Sequence, residues 1–580
     1  MLSLIRYLKN NKAQSVIAPL FKLTEAIFEL LVPLIMADII DVGVANADSG
    51  YILKRGAVLV LLGILGLACS LTAQYFAAVA AFGFGTALRT DVYKHIGSLS
   101  YAEIDRIGGS TLINRITSDI NLAQDGVNRF LRLFMRSPFI VAGAVIMAFT
   151  VSVRLSLIFV VAVPALGLVI YLIMRANLPR YKLIQQKLDG VTQSVRENLS
   201  GARVIRAFSA QEREKREFYG KTKSLEQSQV SVGRISALLN PLTCIIVYAA
   251  IITLIWCGGI SVNIGGIEQG ELIALVSYMT MILTALIAFA DLIIFVTKGN
   301  ASAARISDLL SVQPSVTETA SQEVTPEPDA PAVRFENVSF AYSQTEECSL
   351  KNISFSLGKG KTLGIIGGTG SGKSTLVNLI PRFYDVTEGR VAVNGADVKS
   401  YPTKQLRKMI GIVPQKATLF SGTIRSNMLW GNENASDDEI WQALETAQAR
   451  EFVEQKPDKL NEGVAQGGKN FSGGQKQRLT IARALVGSPE ILILDDSASA
   501  LDMATDAKLR RALAHRDEKC TTIIVSQRAS AVKNADMIIV LDDGECVGMG
   551  THDELLKSCE VYEEICRSQL SDNTKGGGQR

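Results

Sequence analysis

Charge-free windows divide the first half of the chain. Residues 56–88, 155–174, 235–267 and 272–290 each run without an Asp, Glu, Lys or Arg, and each is long enough for a helix to cross a bilayer, which takes about 20 residues. Residues 137–153 form a slightly shorter window, flanked by Arg136 and Arg154. The first apolar stretch, 13–44, is interrupted by Lys22, Glu25, Glu29, Asp38 and Asp41. An even number of spans is needed if both ends lie on one side, so this stretch counts as the first of six predicted spanning helices. Connections 89–136 and 175–234 are rich in Lys and Arg, whereas 261–271 has two Glu and no base. That asymmetry places the two basic connections, the N-terminus and the second half in the cytosol; Lys54 and Arg55 dissent on the outer side. The basic connections are also long and helix-like. Helical arms of about 25 residues would extend each roughly 35–40 Å beyond the membrane. Glu25, Glu29 and Asp291 are costly against lipid, so they are expected to face a bundle interior or a watery path, as helix contacts or as contacts to a substrate or cation. Asp38 and Asp41, near the outer end, read as ordinary helix contacts.

The pattern changes after residue 311. Residues 312–332 are rich in Pro, Thr and Glu without apolar period and read as a solvated linker. From Val333 to about residue 570, β-rich runs alternate with amphipathic helices, as in a mixed α/β domain, and 571–580 reads as a flexible tail. The bulk figures fit a chain with an oily part and a watery part: 580 residues, 48% apolar, 20% charged, mean hydropathy +0.22. A net charge of +4 with no basic run argues against nucleic acid as a partner. The eight cysteines form no C-x-x-C pair and five of them lie in the second half, so they read as reduced thiols. Residues 1–12 are basic and amphipathic, and no small-residue cleavage site follows them, so no cleavable signal is expected.

The candidate chemistry lies in the second half. Gly367, Gly368, Thr369, Gly370, Ser371, Gly372, Lys373, Ser374 and Thr375 match G-x-x-x-x-G-K-[ST]. A β-rich run precedes the motif and a helix-compatible one follows it. The glycines let backbone N–H groups turn toward phosphate oxygens at a helix N-terminus. Lys373 then bridges the outer phosphates, and the Ser374 hydroxyl is a ligand for Mg²⁺. Ile491–Leu494 form an aliphatic strand ending in Asp495 and Asp496, with Asp495 placed to hold the same ion. Between them, Phe471, Ser472, Gly473, Gly474 and Gln475 open an amphipathic helix.

This S-G-G-Q, set between the phosphate loop and the carboxylate strand, resembles the signature of ABC transporters, and the likeness to ABC exporters covers nearly the whole chain. It implies a six-helix membrane domain followed by an α/β P-loop ATPase domain, using ATP and Mg²⁺. It also implies a second exporter half, because in that family the signature clamps ATP held on the opposite ATPase domain. Further elements are similar. Tyr342 resembles the aromatic that stacks on adenine, and Gln415 the residue that senses the metal and the attacking water. Ser499, Ala500, Leu501 and Asp502 resemble the loop that communicates across the dimer. Residues 102–119 and 197–208 resemble the segments carrying the coupling helices.

Departures from the family pattern are informative. Hydrolytic sites in that family place Glu after the strand-end Asp. Asp496 is one methylene shorter, setting its carboxylate back by about 1–1.5 Å, whereas a base must come within about 2.6–3.2 Å of its target. The family also places His in the switch loop, where this chain has Gln527, which cannot carry a positive charge. Gln466 and Phe471 replace a usual Glu and Leu. Asp496 and Gln527 together point to a site that holds ATP but hydrolyses it poorly. The signature, intact apart from Phe471, can serve a competent site on another chain, and Gln466 adds to the asymmetry. The combination resembles the degenerate subunit of a heterodimeric multidrug-type exporter. Its expected cargo is hydrophobic or amphipathic, a small molecule or peptide, moved across the cell membrane among its lipids. A homodimer with two slow sites and a nucleotide-gated regulatory membrane protein are the alternatives. Substrate itself does not follow from fold.

Overall fold

The computed structural model describes residues 2–318, 323–342, 347–497, 501–514 and 520–575. The chain forms two compact units: Met1–Gly97 with Gly109–Val312, and Ser98–Gly108 with Gln313–Arg580.

The first unit is helical. Its main helices are α1 (Lys12–Asp38), α2 (Ser49–Ser98), α3 (Arg136–Val151), α4 (Val153–Ser200), α5 (Leu239–Asn263) and α6 (Gln269–Ser311). Five helical runs among the described residues are long and apolar enough to cross a membrane: Ser49–Ser98, Gly109–Val151, Val153–Ser200, Gln211–Asn263 and Gln269–Ser311. The sixth expected span, α1, is helical but falls outside this set because of its charges. Those charges find partners in the helical unit. Lys22 is buried, pairs with Glu25 at 2.6 Å and donates to Ser70 Oγ on α2 at 3.0 Å. Arg136 Nη2 donates to both oxygens of Glu29, at 3.1 and 2.7 Å. Pairing removes much of the penalty that either charge alone would carry. Asp291 is exposed on α6.

The remaining acids near the turn after α1 are structural. Asp38 pairs with Arg55 at 3.0 Å, which accounts for one of the two dissenting bases. Asp41 accepts from the backbone N–H groups of Gly270 and Glu271, at 2.5 and 3.2 Å, and so caps the free donors at the start of α6. The buried Tyr278 hydroxyl of α6 donates to the Leu30 carbonyl of α1 at 2.8 Å.

α2 and α4 run 50 and 48 residues without interruption, so both extend well beyond a bilayer's thickness. At one extension Asp119, 3% exposed, accepts from Arg115 Nη1 at 2.7 Å and from Arg305 Nε at 3.0 Å. This ties the segment after α2 to α6.

The second unit holds two sheets. Strands β1 (Val333–Phe340), β2 (Leu350–Leu357), β4 (Glu388–Val393) and β5 (Ala396–Asp397) make an antiparallel sheet in the order β2-β1-β4-β5. β3 (Thr362–Gly367), β6 (Ile410–Val413), β9 (Ile491–Asp495), β10 (Thr521–Val525), β11 (Met537–Asp542) and β12 (Glu545–Gly550) make the central sheet, ordered β12-β11-β3-β10-β9-β6. β7 (Gly422–Thr423) and β8 (Gly463–Val464) form a small ladder. All neighbours in the central sheet are parallel except β11 and β12. Unbroken aliphatic runs such as Ile491–Leu494 suit parallel strands covered on both faces, and each of these four residues is at most 3% exposed. Helix α7 (Lys373–Leu379) follows β3, and a second core lies beneath the helix Asp437–Thr446 and α8 (Gly473–Val486).

Two features differ from the sequence expectation. Segment 102–119 divides at Gly108, whose φ of 82° suits a residue without Cβ. Its first part, the helix Tyr101–Ile107, belongs to the second unit. There Tyr101 stacks on Phe383 with centroids 4.4 Å apart, and the Tyr384 hydroxyl donates to Asp105 at 2.8 Å. Among its described residues the linker has no helix or strand before β1, yet it is not free in solvent. Gln405 pairs with both backbone groups of Val324, at 3.0 and 2.7 Å, and Glu327 N–H donates to Asn394 O at 3.1 Å. These bonds satisfy backbone groups that a Pro-rich segment cannot pair internally.

Replacing Asp119 with Asn is expected to lower the melting temperature of the purified chain by several degrees. The change removes charge-assisted bonds worth about 1.5–3 kcal/mol each at a nearly buried site; scanning fluorimetry reads the shift.

Candidate functional site

The phosphate loop follows β3 and delivers α7. Gly370 and Gly372 sit at φ 85° and 92°, a region that L side chains avoid. A Cβ on Gly372 would also lie 2.7 Å from the Ser349 carbonyl oxygen. The Lys373 ammonium donates to Gly367 O at 2.9 Å, to Ser371 Oγ at 3.3 Å and to Gly368 O. Ser374 Oγ donates to Asp495 Oδ1 at 3.0 Å. The Tyr342 and Thr375 hydroxyls are 3.0 Å apart. Gln415 Nε2 donates to Asp496 Oδ2 at 3.3 Å.

These groups line one cavity of about 310 Å³. Its wall contains Tyr342, Thr369–Thr375, Gln415, Asp495, Asp496 and Gln527, so the structure assembles these residues from across the second half of the chain. Gly367 and Gly368 contribute the carbonyls that hold Lys373. Strand order explains the convergence, since β3, β10 and β9 are parallel neighbours whose C-terminal ends share one edge.

Burial works against both central charges. It pushes the Lys373 ammonium below its ordinary value, with Asp496 and Asp495 opposing. It pushes the Asp495 carboxyl up, with the Ser374 hydrogen bond and Lys373 opposing and Asp496 reinforcing. A polyanion beside Lys373 and a cation beside Asp495 would each restore the charged form. The oxygens of Ser374 and Asp495 make a hard-cation donor pair too small to enclose an ion alone, which suits an ion that keeps substrate oxygens and waters.

Asp496 has φ 46°, a left-handed conformation that Asp tolerates better than most residues. Its N–H donates to Val525 O at 3.0 Å. Gln527 follows two residues later, so the two departures from the family pattern stand side by side.

The signature lies elsewhere. Among the described residues, none from Phe471 to Gln475 lines the cavity. Ser472 caps α8 by accepting from Gln475 N–H at 3.3 Å, and Gln475 Oε1 accepts from Ser472 N–H at 3.0 Å, a capping box. Phe471 is buried in the second core, so its ring fills apolar space. Ser499 and Ala500 lie outside the described residues. Leu501 is buried in the same core, and Asp502 accepts from Thr505 N–H at 3.0 Å. His95 bonds Leu309 O and His552 bonds the Tyr562 hydroxyl. Neither lines the cavity, and His515 lies outside the described residues.

Sequence reasoning missed Cys348, Ser349, Val525, Asp543 and Gly544 in the cavity wall. Asp543 and Gly544, both at positive φ (44° and 80°), form the β11–β12 turn. That Asp-Gly pair signals a hairpin, but nothing local places the hairpin beside the phosphate loop.

A P-loop on a parallel sheet, facing strand-end carboxylates and joined to a membrane-spanning helical unit, defines a transport ATPase. Residues 15–286 match the ABC transporter transmembrane region and residues 350–499 match the ABC transporter family. The chain is 37% identical to an uncharacterized ABC transporter ATP-binding protein of Mycobacterium tuberculosis, over 96% of both chains. It is 33% identical to a "Probable multidrug resistance ABC transporter ATP-binding/permease protein" of Bacillus subtilis, YheI, over 84% of both. Its fold matches a bacterial Atm1-family ABC exporter with ATP bound, with a TM-score of 0.79 at 23% identity, covering 97% of this chain and 98% of that one. The chain therefore belongs to the ABC transporters, in the exporter type that fuses membrane and ATPase domains. It is an ABC ATPase coupled to transport.

Gly372→Ala is expected to weaken ATP binding about 10-fold or more. The left-handed backbone alone costs a side chain about 1–2 kcal/mol, and about 1.4 kcal/mol is tenfold in affinity. Titration of the purified chain with a fluorescent ATP analogue measures the loss.

Proposed function

We propose that this chain is one half of a heterodimeric exporter, binding ATP at its own site but leaving most hydrolysis to a catalytically complete partner. The observation that carries this reading is the pairing of Asp496 with Gln527. At the position of the general base stands a shortened carboxylate in a left-handed backbone, held by Gln415 at 3.3 Å. Beside it, the switch-loop position holds an uncharged amide. An ångström of misplacement at such a site costs about 10²-fold in rate.

In this reading Tyr342 stacks on adenine, residues 367–375 cradle the phosphates and Lys373 neutralises them. Mg²⁺ would be held by Ser374 and Asp495, with Gln415 nearby, and would supply charge neutralisation at the phosphates. Residues 471–475 serve the partner's ATP, and residues 499–502 relay between the two domains. That the signature stands apart from this chain's own cavity, with its helix capped and intact, supports a role in trans.

Residues 1–311 form the membrane domain, with α1 as the first of six spans and the paired charges Lys22–Glu25 and Arg136–Glu29 making that span tolerable. Residues 312–332 connect it to the ATPase domain, 333–570, and 571–580 are a tail. The N-terminus and ATPase domain are cytosolic. ATP closes the two ATPase domains and the helical extensions carry closure to the membrane cavity. The cargo is hydrophobic or amphipathic, in keeping with the multidrug name of the Bacillus subtilis relative.

The co-expressed pair tests the asymmetry. Asp496→Asn should change the pair's ATP turnover less than about 2-fold, whereas removing the partner's catalytic Glu should lower it about 10²-fold or more. Equal losses from both substitutions would refute the division of labour.

A further inference from the structure

The switch loop is held from outside its own neighbourhood. It leaves β10 with Ser526 N–H donating to Ile365 O at 3.0 Å, turns through Gln527, and enters a short helix at Ala529. Gln569 spans this turn. Its Nε2 donates to the Gln527 carbonyl at 2.8 Å and its Oε1 accepts from the Ala529 N–H at 2.9 Å. A carboxamide offers one donor and one acceptor in a plane, and here both are used on backbone groups two residues apart.

Gln569 sits on the last described helix, Glu560–Lys575. That helix docks by Tyr562 and Cys566, 0% and 7% exposed, against Ala529, Val532, Ile538 and Val540. Its anchor is therefore packed in this core, and the Gln569 side chain, one turn beyond Cys566, reaches the switch loop from it. The consequence falls on the ATP cavity. Gln527 lines it, and the strand residue two before it, Val525, bonds Asp496 N–H. These residues lie with the carboxylates, whereas Tyr342 is bonded to Thr375 on the flank of α7.

We propose that Gln569 is a positioning residue that sets the switch loop against the terminal phosphate, so that docking of the C-terminal helix and discrimination of ATP from ADP are coupled. This rests on the reading above that ATP binds this chain with its terminal phosphate facing Gln527. Because coupling is reciprocal, ATP at the site also favours the docked helix.

The test uses the purified full-length chain, a fluorescent ATP analogue, and competition by ATP and by ADP. Gln569→Met keeps length and loses both bonds. It should weaken ATP about 5-fold, the loss expected for a hydrogen bond or so, while ADP changes less than about 2-fold. Gln569→Glu keeps the acceptor toward Ala529 but turns an anionic oxygen toward the Gln527 carbonyl, and should weaken ATP at least as much with the same split. Equal loss of ATP and ADP marks a merely structural helix contact and overturns the proposal; so does unchanged ATP affinity in either variant. If Gln569→Met fails to fold, the Glu variant gives the same readout. If analogue binding is unaffected by Lys373→Ala, the assignment of the site itself falls and takes the latch with it. Binding that depends on Lys373 without the ATP–ADP split sinks the latch alone.

Discussion

The hydrogen bond from Ser374 to Asp495 joins two residues 121 positions apart, and the ATP site is organised around it. It exists because β3 and β9 both run parallel to β10, so that the loop leaving one strand and the carboxylate ending another meet at a single edge of the sheet. Burial there makes Lys373 and Asp495 costly as ions, a cost that a phosphate chain and a cation would offset. The same edge carries Asp496 and, one strand over, Gln527. Asp496 therefore stands at the centre of the site, where the Gln415 amide donates to its carboxylate.

Charge handling in the helical unit follows the same logic of burial. A chain that places Lys22, Glu25 and Glu29 in an apolar helix gives each a partner: the buried Lys22 forms an i,i+3 pair with Glu25, and the exposed Glu29 pairs with Arg136 from α3. Asp41 solves a different problem, the unpaired N–H groups at the start of α6. The acids of these helices thus divide into ion pairs (Glu25, Glu29, Asp38), a helix cap (Asp41) and the exposed Asp291.

The signature is built from local interactions. Ser472 and Gln475 cap their own helix and Phe471 packs into the core beneath it. The motif is locally complete while standing apart from the phosphate loop of its own domain. Asp496 and Gln527 line the cavity, whereas none of Phe471–Gln475 does.

The P-loop, the strand-end carboxylates, the signature and all five of the apolar runs found among the described residues were legible in the sequence. Each is contiguous, and its requirement is local: positive φ at glycines, backbone N–H groups beside a helix start, or uninterrupted apolar length. α1 was ambiguous for the same reason, since local composition prices its charges without knowing that Arg136 and Ser70 answer them. Tertiary structure alone decided what required partners far apart in the chain. It put Tyr101–Ile107 in the ATPase unit, fastened the linker through Gln405, and brought the Asp543-Gly544 turn to the cavity. It also set Gln569, 42 residues beyond Gln527, across the switch loop. Periodicity tells which face of a helix is buried. It does not tell which side chain, from which distant element, will complete a hydrogen bond there.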